Sequence, residues 1–201
     1  MRRAVSDQGM TFPPSRDLAL VDLFNVGPAA KTDRDYEDLL DLAGELIRRA
    51  VGKPPSATTI EVGCRLYGGF TNVRGDPTEQ HARTLKKLRR LRSVQDGVRI
   101  LPEIARSLGC MPNAVLSGTY KNGGQKMVDQ MLAHDVYHFA GTRQYERIVL
   151  VADDDDYIPA IISTGLKTTV ELLWLRRRAT GLNDEIVPTN VVLLTDGAWT
   201  R

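Results

Sequence analysis

The chain has 201 residues, 27 basic against 25 acidic, with 42% hydrophobic and 26% charged content. That length suits one domain with a sizeable core, and the composition excludes wholesale disorder and a fibrous protein. No apolar run approaches the ~20 residues that span a bilayer, and no signal-peptide core follows Arg2-Arg3, so a membrane protein is excluded and a cytoplasmic one expected.

Residues 1–16 carry Gly, Ser and Pro with mixed charge and no periodicity, and read as a flexible leader before a single domain over 17–201. Leu18 to Phe24 is an apolar run broken only by Asp22, as in a strand buried on both faces of a parallel sheet. Gly27-Pro28 ends it. Thr32-Asp33-Arg34-Asp35 is a capping box, and Tyr36, Leu39, Leu40, Ala43, Leu46, Ile47 and Ala50 follow helical spacing until Gly52 and Pro54. Thr58–Tyr67 is a second strand. Residues 79–93 form a helix with Leu85, Leu88 and Leu91 on one side. Val98–Leu101 predicts a third strand and Ala114–Tyr120 a shorter one, before the turn signal Lys121-Asn122-Gly123-Gly124. A helix over Lys126–Phe139 follows, then the clearest buried strand, Ile148–Ala152. A short helix over 157–165 and strands at Thr168–Leu175 and Val191–Leu194 complete the pattern. Strands alternating with helices predict a three-layer α/β/α domain with a mostly parallel sheet.

In such a sheet functional groups collect beyond the carboxyl ends of the strands. Asp22 and Asn25 close the first strand, and Asp153 to Asp156 close the strand 148–152. The acid run alone suits an N-cap and a first helical turn. If the two strands are neighbours, Asp22, Asp154 and Asp156 also approach each other. Two carboxylates ~5 Å apart repel by about 3 kcal/mol at an effective dielectric near 20, so some are protonated or a cation holds them. Oxygen ligands with few His or Cys nearby favour Mg²⁺ or Mn²⁺ over Zn²⁺. On the 126–139 helix, Val128, Leu132, Asp135 and Phe139 share one stripe, leaving Asp135 open to a structural or a functional role. Asp129 lies at the edge of that stripe near the helix start and is read as a site residue. Lys126, one turn earlier, is placed to pair with it or to reach a phosphate.

The stretch 81–92 holds Arg83, Lys86, Lys87, Arg89, Arg90 and Arg92 and no acid. It is a solvated face or a ridge for the phosphates of a nucleic acid, which Arg176-Arg177-Arg178 would extend. His134 and His138 resemble the HExxH spacing, but Asp135 stands where Glu is needed and lies on the core stripe. Cys64 and Cys110 form no CxxC pair and read as reduced thiols, and no Ser-His-Asp or Cys-His arrangement can be placed.

Taken in order, these residues resemble the NYN domains, PIN-like nucleases of the LabA type. Asp22-Leu23-Phe24-Asn25 resembles the family's D-x-x-N, and Lys126-Met127-Val128-Asp129 with Asp135 its K-x-V-D-x-x-L-x-x-D helix. Val149 to Pro159 resembles its strand ending in S-G-D-x-D-F-x-P, with Ala152, Asp153 and Tyr157 in place of Ser, Gly and Phe. The resemblance implies a PIN-like, Rossmann-like domain that cleaves RNA with Mg²⁺ or Mn²⁺. Position by position, Asp22, Asp129, Asp154 and Asp156 would be the metal-linked acids and Asn25 a polar helper. Lys126, Lys86, Lys87, Arg89 and Arg90 would contact RNA. The departures support an alternative, a PIN-like RNA-binding or partner-binding module with a weak or inactive site. A short chain with a generic nuclease domain often works with a protein partner or as a homo-oligomer.

Overall fold

The runs at 18–24 and 148–152 lie side by side at the centre of one sheet. A computed structural model describes residues 17–27, 31–54, 58–122, 124–177 and 186–195. The strands are β1 (Asp17–Asp22), β2 (Ile60–Tyr67), β3 (Val98–Ile104), β4 (Thr119–Lys121), β5 (Gly124–Lys126), β6 (Arg147–Val151), β7 (Glu171–Arg176) and β8 (Val191–Thr195). Between them run helices α1 (Asp33–Val51), α2 (Glu79–Lys87), α3 (Val128–Thr142) and α4 (Ile158–Gly165). Six strands form a sheet in the order β3-β2-β1-β6-β7-β8, and every pairing in it is parallel. Order reverses between β1 and β6, the switch point at which open α/β sheets bind ligands.

Because side chains alternate across a strand, each central strand feeds two cores. Ala19, Val21, Val149, Val151, Leu173 and Leu175 pack with α1 on one face. On the other, Leu18, Leu20, Ile148, Leu150, Leu172 and Trp174 pack against α3 and residues of α4. Continuing the alternation from Leu18 and Leu20, Asp22 emerges on the α3 side at the carboxyl edge. The α/β/α layering and parallel sheet are as expected. No helix of the described residues is long and apolar enough to cross a membrane.

Local chemistry accounts for the helix starts. Thr32 caps α1: the Asp35 amide donates to Thr32 Oγ1 at 3.2 Å, and the Thr32 amide to Asp35 Oδ2 at 2.7 Å. Two expectations need correction. The 79–93 helix is α2 followed by a 3₁₀ turn, Leu88–Arg90, with Leu88 and Leu91 buried and Leu85 56% exposed. Thr84 takes the buried place instead, since it lies one α-turn, four residues, before Leu88. Residues 114–120 are not a strand of the main sheet. Only Thr119–Lys121 is extended, and it pairs antiparallel with β5 across the predicted turn. Lys126 belongs to that hairpin, so α3 begins at Val128, after Met127 with φ 67°. The leader 1–16 and Arg178 lie outside the described residues.

Candidate active site

At the switch point Asp22 is 1% exposed. The α3 helix, seated by Val128, Met131, Leu132 and Val136 in the core, brings Asp129 of its first turn over the end of β1. Tyr157, buried at the start of α4, reaches between the two acids. Its hydroxyl oxygen is 3.1 Å from Asp22 Oδ2 and 2.9 Å from Asp129 Oδ1. One hydroxyl carries one proton, so it donates to one carboxylate at a time, and the other contact needs a proton from the acid itself. Burial, and then the charge of Asp129, push the Asp22 carboxyl up to about 7 despite the relief from Tyr157. Burial and the same two carboxylates drive the Tyr157 phenol far above its ordinary range, so it stays a hydroxyl. Among the described residues, buried Asp22 Oδ1 has no hydrogen bond of good geometry, although the Asn25 amide and the Gln125 side chain also ease the carboxylate. A buried polar atom without a partner costs about 1–3 kcal/mol, more when charged.

The other expected site residues stand elsewhere around this pair. Asn25 Oδ1 accepts from the Asp153 amide at 2.7 Å, tying the loop after β1 to the loop after β6. Asp153 is buried and taken up by Arg177, whose Nε is 3.0 Å and backbone amide 3.1 Å away. Arg176, stacked on the Trp174 ring at 4.5 Å, donates to Asp155 Oδ1 at 2.5 Å. Asp154 caps the 3₁₀ turn Asp155–Tyr157, accepting from the Asp156 amide at 3.0 Å, and Asp156 is exposed. Among the described residues no group of three or more His, Cys, Asp or Glu is placed to hold a metal ion. Thus the structure gathers two of the four expected acids, Asp22 and Asp129, and leaves Asp154 engaged in its own turn.

The basic residues also separate. Lys126 is exposed at the end of the hairpin. At its start α2 is fixed near the carboxyl edge, where Thr78 Oγ1 donates to Gly69 O at 2.9 Å. From there the chain runs toward the opposite edge, where Arg48 meets Ser93 O and Gln95 bridges to Val98. Arg89 and Arg90 therefore line a cleft of about 850 Å³ with Arg48, Arg49 and Lys53, at the amino edge rather than beside Asp22. Lys87 pairs with Glu37, and Arg90 with Glu37 and Asp41, while Lys86 and Arg89 stay exposed. The unbroken basic ridge read from the sequence is thus partly neutralised by α1.

Asp135, left open between two roles, proves structural in its surroundings. It is fully buried, accepting from Tyr67 Oη at 2.6 Å and the Gly109 amide at 2.7 Å, with Arg65 Nε 3.5 Å away. Tyr157 was visible in the sequence only as a departure from Phe; its bridging hydroxyl is what the fold adds. No family model, curated protein or solved structure matches the chain.

Proposed function

We propose that the protein is a metal-dependent ribonuclease of the NYN, PIN-like type, with Asp22 and Asp129 at its centre. One observation carries this reading: at the switch point of the sheet, two carboxylates converge, and among the described residues no basic side chain makes a hydrogen bond to either and one buried oxygen of Asp22 has no partner of good geometry. The pair fits a hard divalent cation, since Mg²⁺ is typically held by one or two carboxylates together with waters and substrate phosphates. Asp22 and Asp129 would hold it, and when bound it supplies the positive charge that polarises a phosphodiester and acidifies the attacking water. Burial keeps Asp22 poised near neutrality, so at neutral pH it releases its proton readily to make way for a cation. Tyr157 retains its proton and holds both carboxylates in one place. Asn25 fixes the adjoining loop. Lys126 is exposed and available to a phosphate. The choice of RNA as substrate rests on the motif resemblance.

A second reading is favoured by the same hydroxyl. Tyr157 donates to one acid and can accept from the other when that acid is protonated, which is how an idle site would satisfy them, leaving an RNA-binding or partner-binding module. The two readings part on turnover. Purified protein with Mn²⁺ should cut RNA, and Asp22→Asn and Asp129→Asn should each lower the rate more than about a hundredfold, because even partners of metal ligands cost 10–100-fold. Salt-sensitive RNA binding without cleavage in the wild type, unchanged in both variants, would instead establish the module.

A further inference from the structure

Cys110 and His134 play no part in the acid site, and the fold brings them together. The turn carrying Cys110 is seated on α3: Met111 N donates to Leu108 O, and the Gly109 amide donates to Asp135 Oδ1. Gly109 fits there for want of a side chain, as a Cβ would sit 2.5 Å from the Phe139 ring. Cys110 is thereby exposed with its Sγ 3.7 Å from His134 Nε2. On the other side of the ring, His134 Nδ1 is 3.4 Å from Asp135 Oδ1. That oxygen accepts, so the ring proton belongs on Nδ1 and the Nε2 lone pair faces the thiol. Asp135 is held in turn by Tyr67 and Arg65, and the His138 ring stacks on His134 at 6.3 Å. The order is an exposed nucleophile, a half-exposed base and a buried group that orients the base.

We propose that Cys110 is a modification site: a reactive thiol that exchanges with low-molecular-mass disulfides of the glutathione type. His134 Nε2 takes the thiol proton, and the Cys110 sulfur attacks one sulfur of the small disulfide. A new S–S bond forms as the old one breaks, and the departing thiolate leaves with a proton returned from His134. The small disulfide is the oxidant, and one equivalent of small thiol is released per mixed disulfide. Asp135 is a positioning residue that sets the tautomer of His134. Cys64 is the internal reference, since it is buried and burial pushes its thiol well above the ordinary range.

The test treats the full chain with oxidised glutathione at neutral pH and follows adducts by intact mass and peptide mapping. A free thiol is only a few per cent thiolate at neutral pH, which leaves room for about a tenfold gain from a built-in base. Cys110 should therefore react about tenfold faster than an unstructured peptide spanning 106–114, and Cys64 should stay unmodified. His134→Ala, with an unchanged circular dichroism spectrum, should bring Cys110 down to the peptide rate. Nitrogen NMR should find the His134 proton on Nδ1, and Asp135→Asn should shift it. The proposal fails if Cys110 reacts no faster than the peptide, or if His134→Ala and His134→Gln both keep the wild-type rate.

Discussion

The first turn and the middle of α3 each hold an aspartate-centred cluster, and they treat it in opposite ways. At the middle of the helix, Asp135 is fully buried yet surrounded by donors: Tyr67, the Gly109 amide and the Arg65 guanidinium, itself 2.6 Å from Glu103. In the first turn, Asp129 faces Asp22 with a single hydroxyl between them. Both arrangements take carboxylates out of water, but only the first supplies a cation. Burial with a counter-charge makes a strut, whereas burying Asp22 beside a second carboxylate, the partly buried Asp129, stores free energy that a cation or a proton releases. That difference supports the metal site proposed at the β1 end.

The largest effect should come from breaking the compensated cluster. Asp135→Ala leaves the buried Tyr67 hydroxyl and the Gly109 amide without their acceptor, while Arg65 keeps Glu103, and should cost about 2–5 kcal/mol in urea unfolding, at about 1–3 kcal/mol for each buried donor left unsatisfied. A loss under about 1 kcal/mol would mean that the cluster is solvated and the contrast false.

The uncompensated pair should respond with the opposite sign. Asp22 has its carboxyl raised from 3.8 to about 7 in the folded state, so the folded protein keeps a proton that the unfolded chain has released. The contribution of Asp22 to stability is therefore largest below about pH 4 and is lost as pH rises through 7. One pKa unit being about 1.4 kcal/mol, the loss at the top of that window is roughly 4 kcal/mol at most. Asp22→Asn, which mimics the protonated acid, should be more stable than wild type by about 2–4 kcal/mol near pH 7 and indistinguishable near pH 4. A wild-type-to-variant difference that is the same at both pH values would refute the assignment.

Tyr157→Phe sharpens the comparison further at a smaller cost. It removes the shared donor and should destabilise the metal-free protein by about 1–3 kcal/mol. Adding Mn²⁺ should recover that loss, giving the variant a larger rise in Tm than the wild type. Equal Mn²⁺ responses in the two proteins would show that the hydroxyl and the cation do not compete for the same place.

Much of this fold was legible because burial on both faces writes itself into the chain. The runs at 18–24 and 148–152 could hardly be other than central strands, and Thr32 with Asp35 announced α1 through chemistry confined to four residues. Hairpin β4-β5 was less legible, since its three-residue strands stand outside the main sheet and carry no apolar alternation. Leu85 misled because its spacing of three fits a 3₁₀ turn that starts only at Leu88.

What the sequence by itself determined is the layered α/β architecture and a shortlist of candidate acids, Asp22, Asp129, Asp154 and Asp156. Those follow from local periodicity and from acids placed where buried strands and helices end. Only the tertiary structure decided which acids meet, because contact depends on strand order and register. Parallel pairing of β1 with β6 aligns the two loops, Asn25 and Arg177 then claim Asp153, and the α3-facing side of β1 delivers Asp22 to Tyr157 and Asp129. The same logic hid Cys110, His134 and Asp135. Cys110 is 24 residues from His134 in the chain, and only the turn seated on α3 closes that gap.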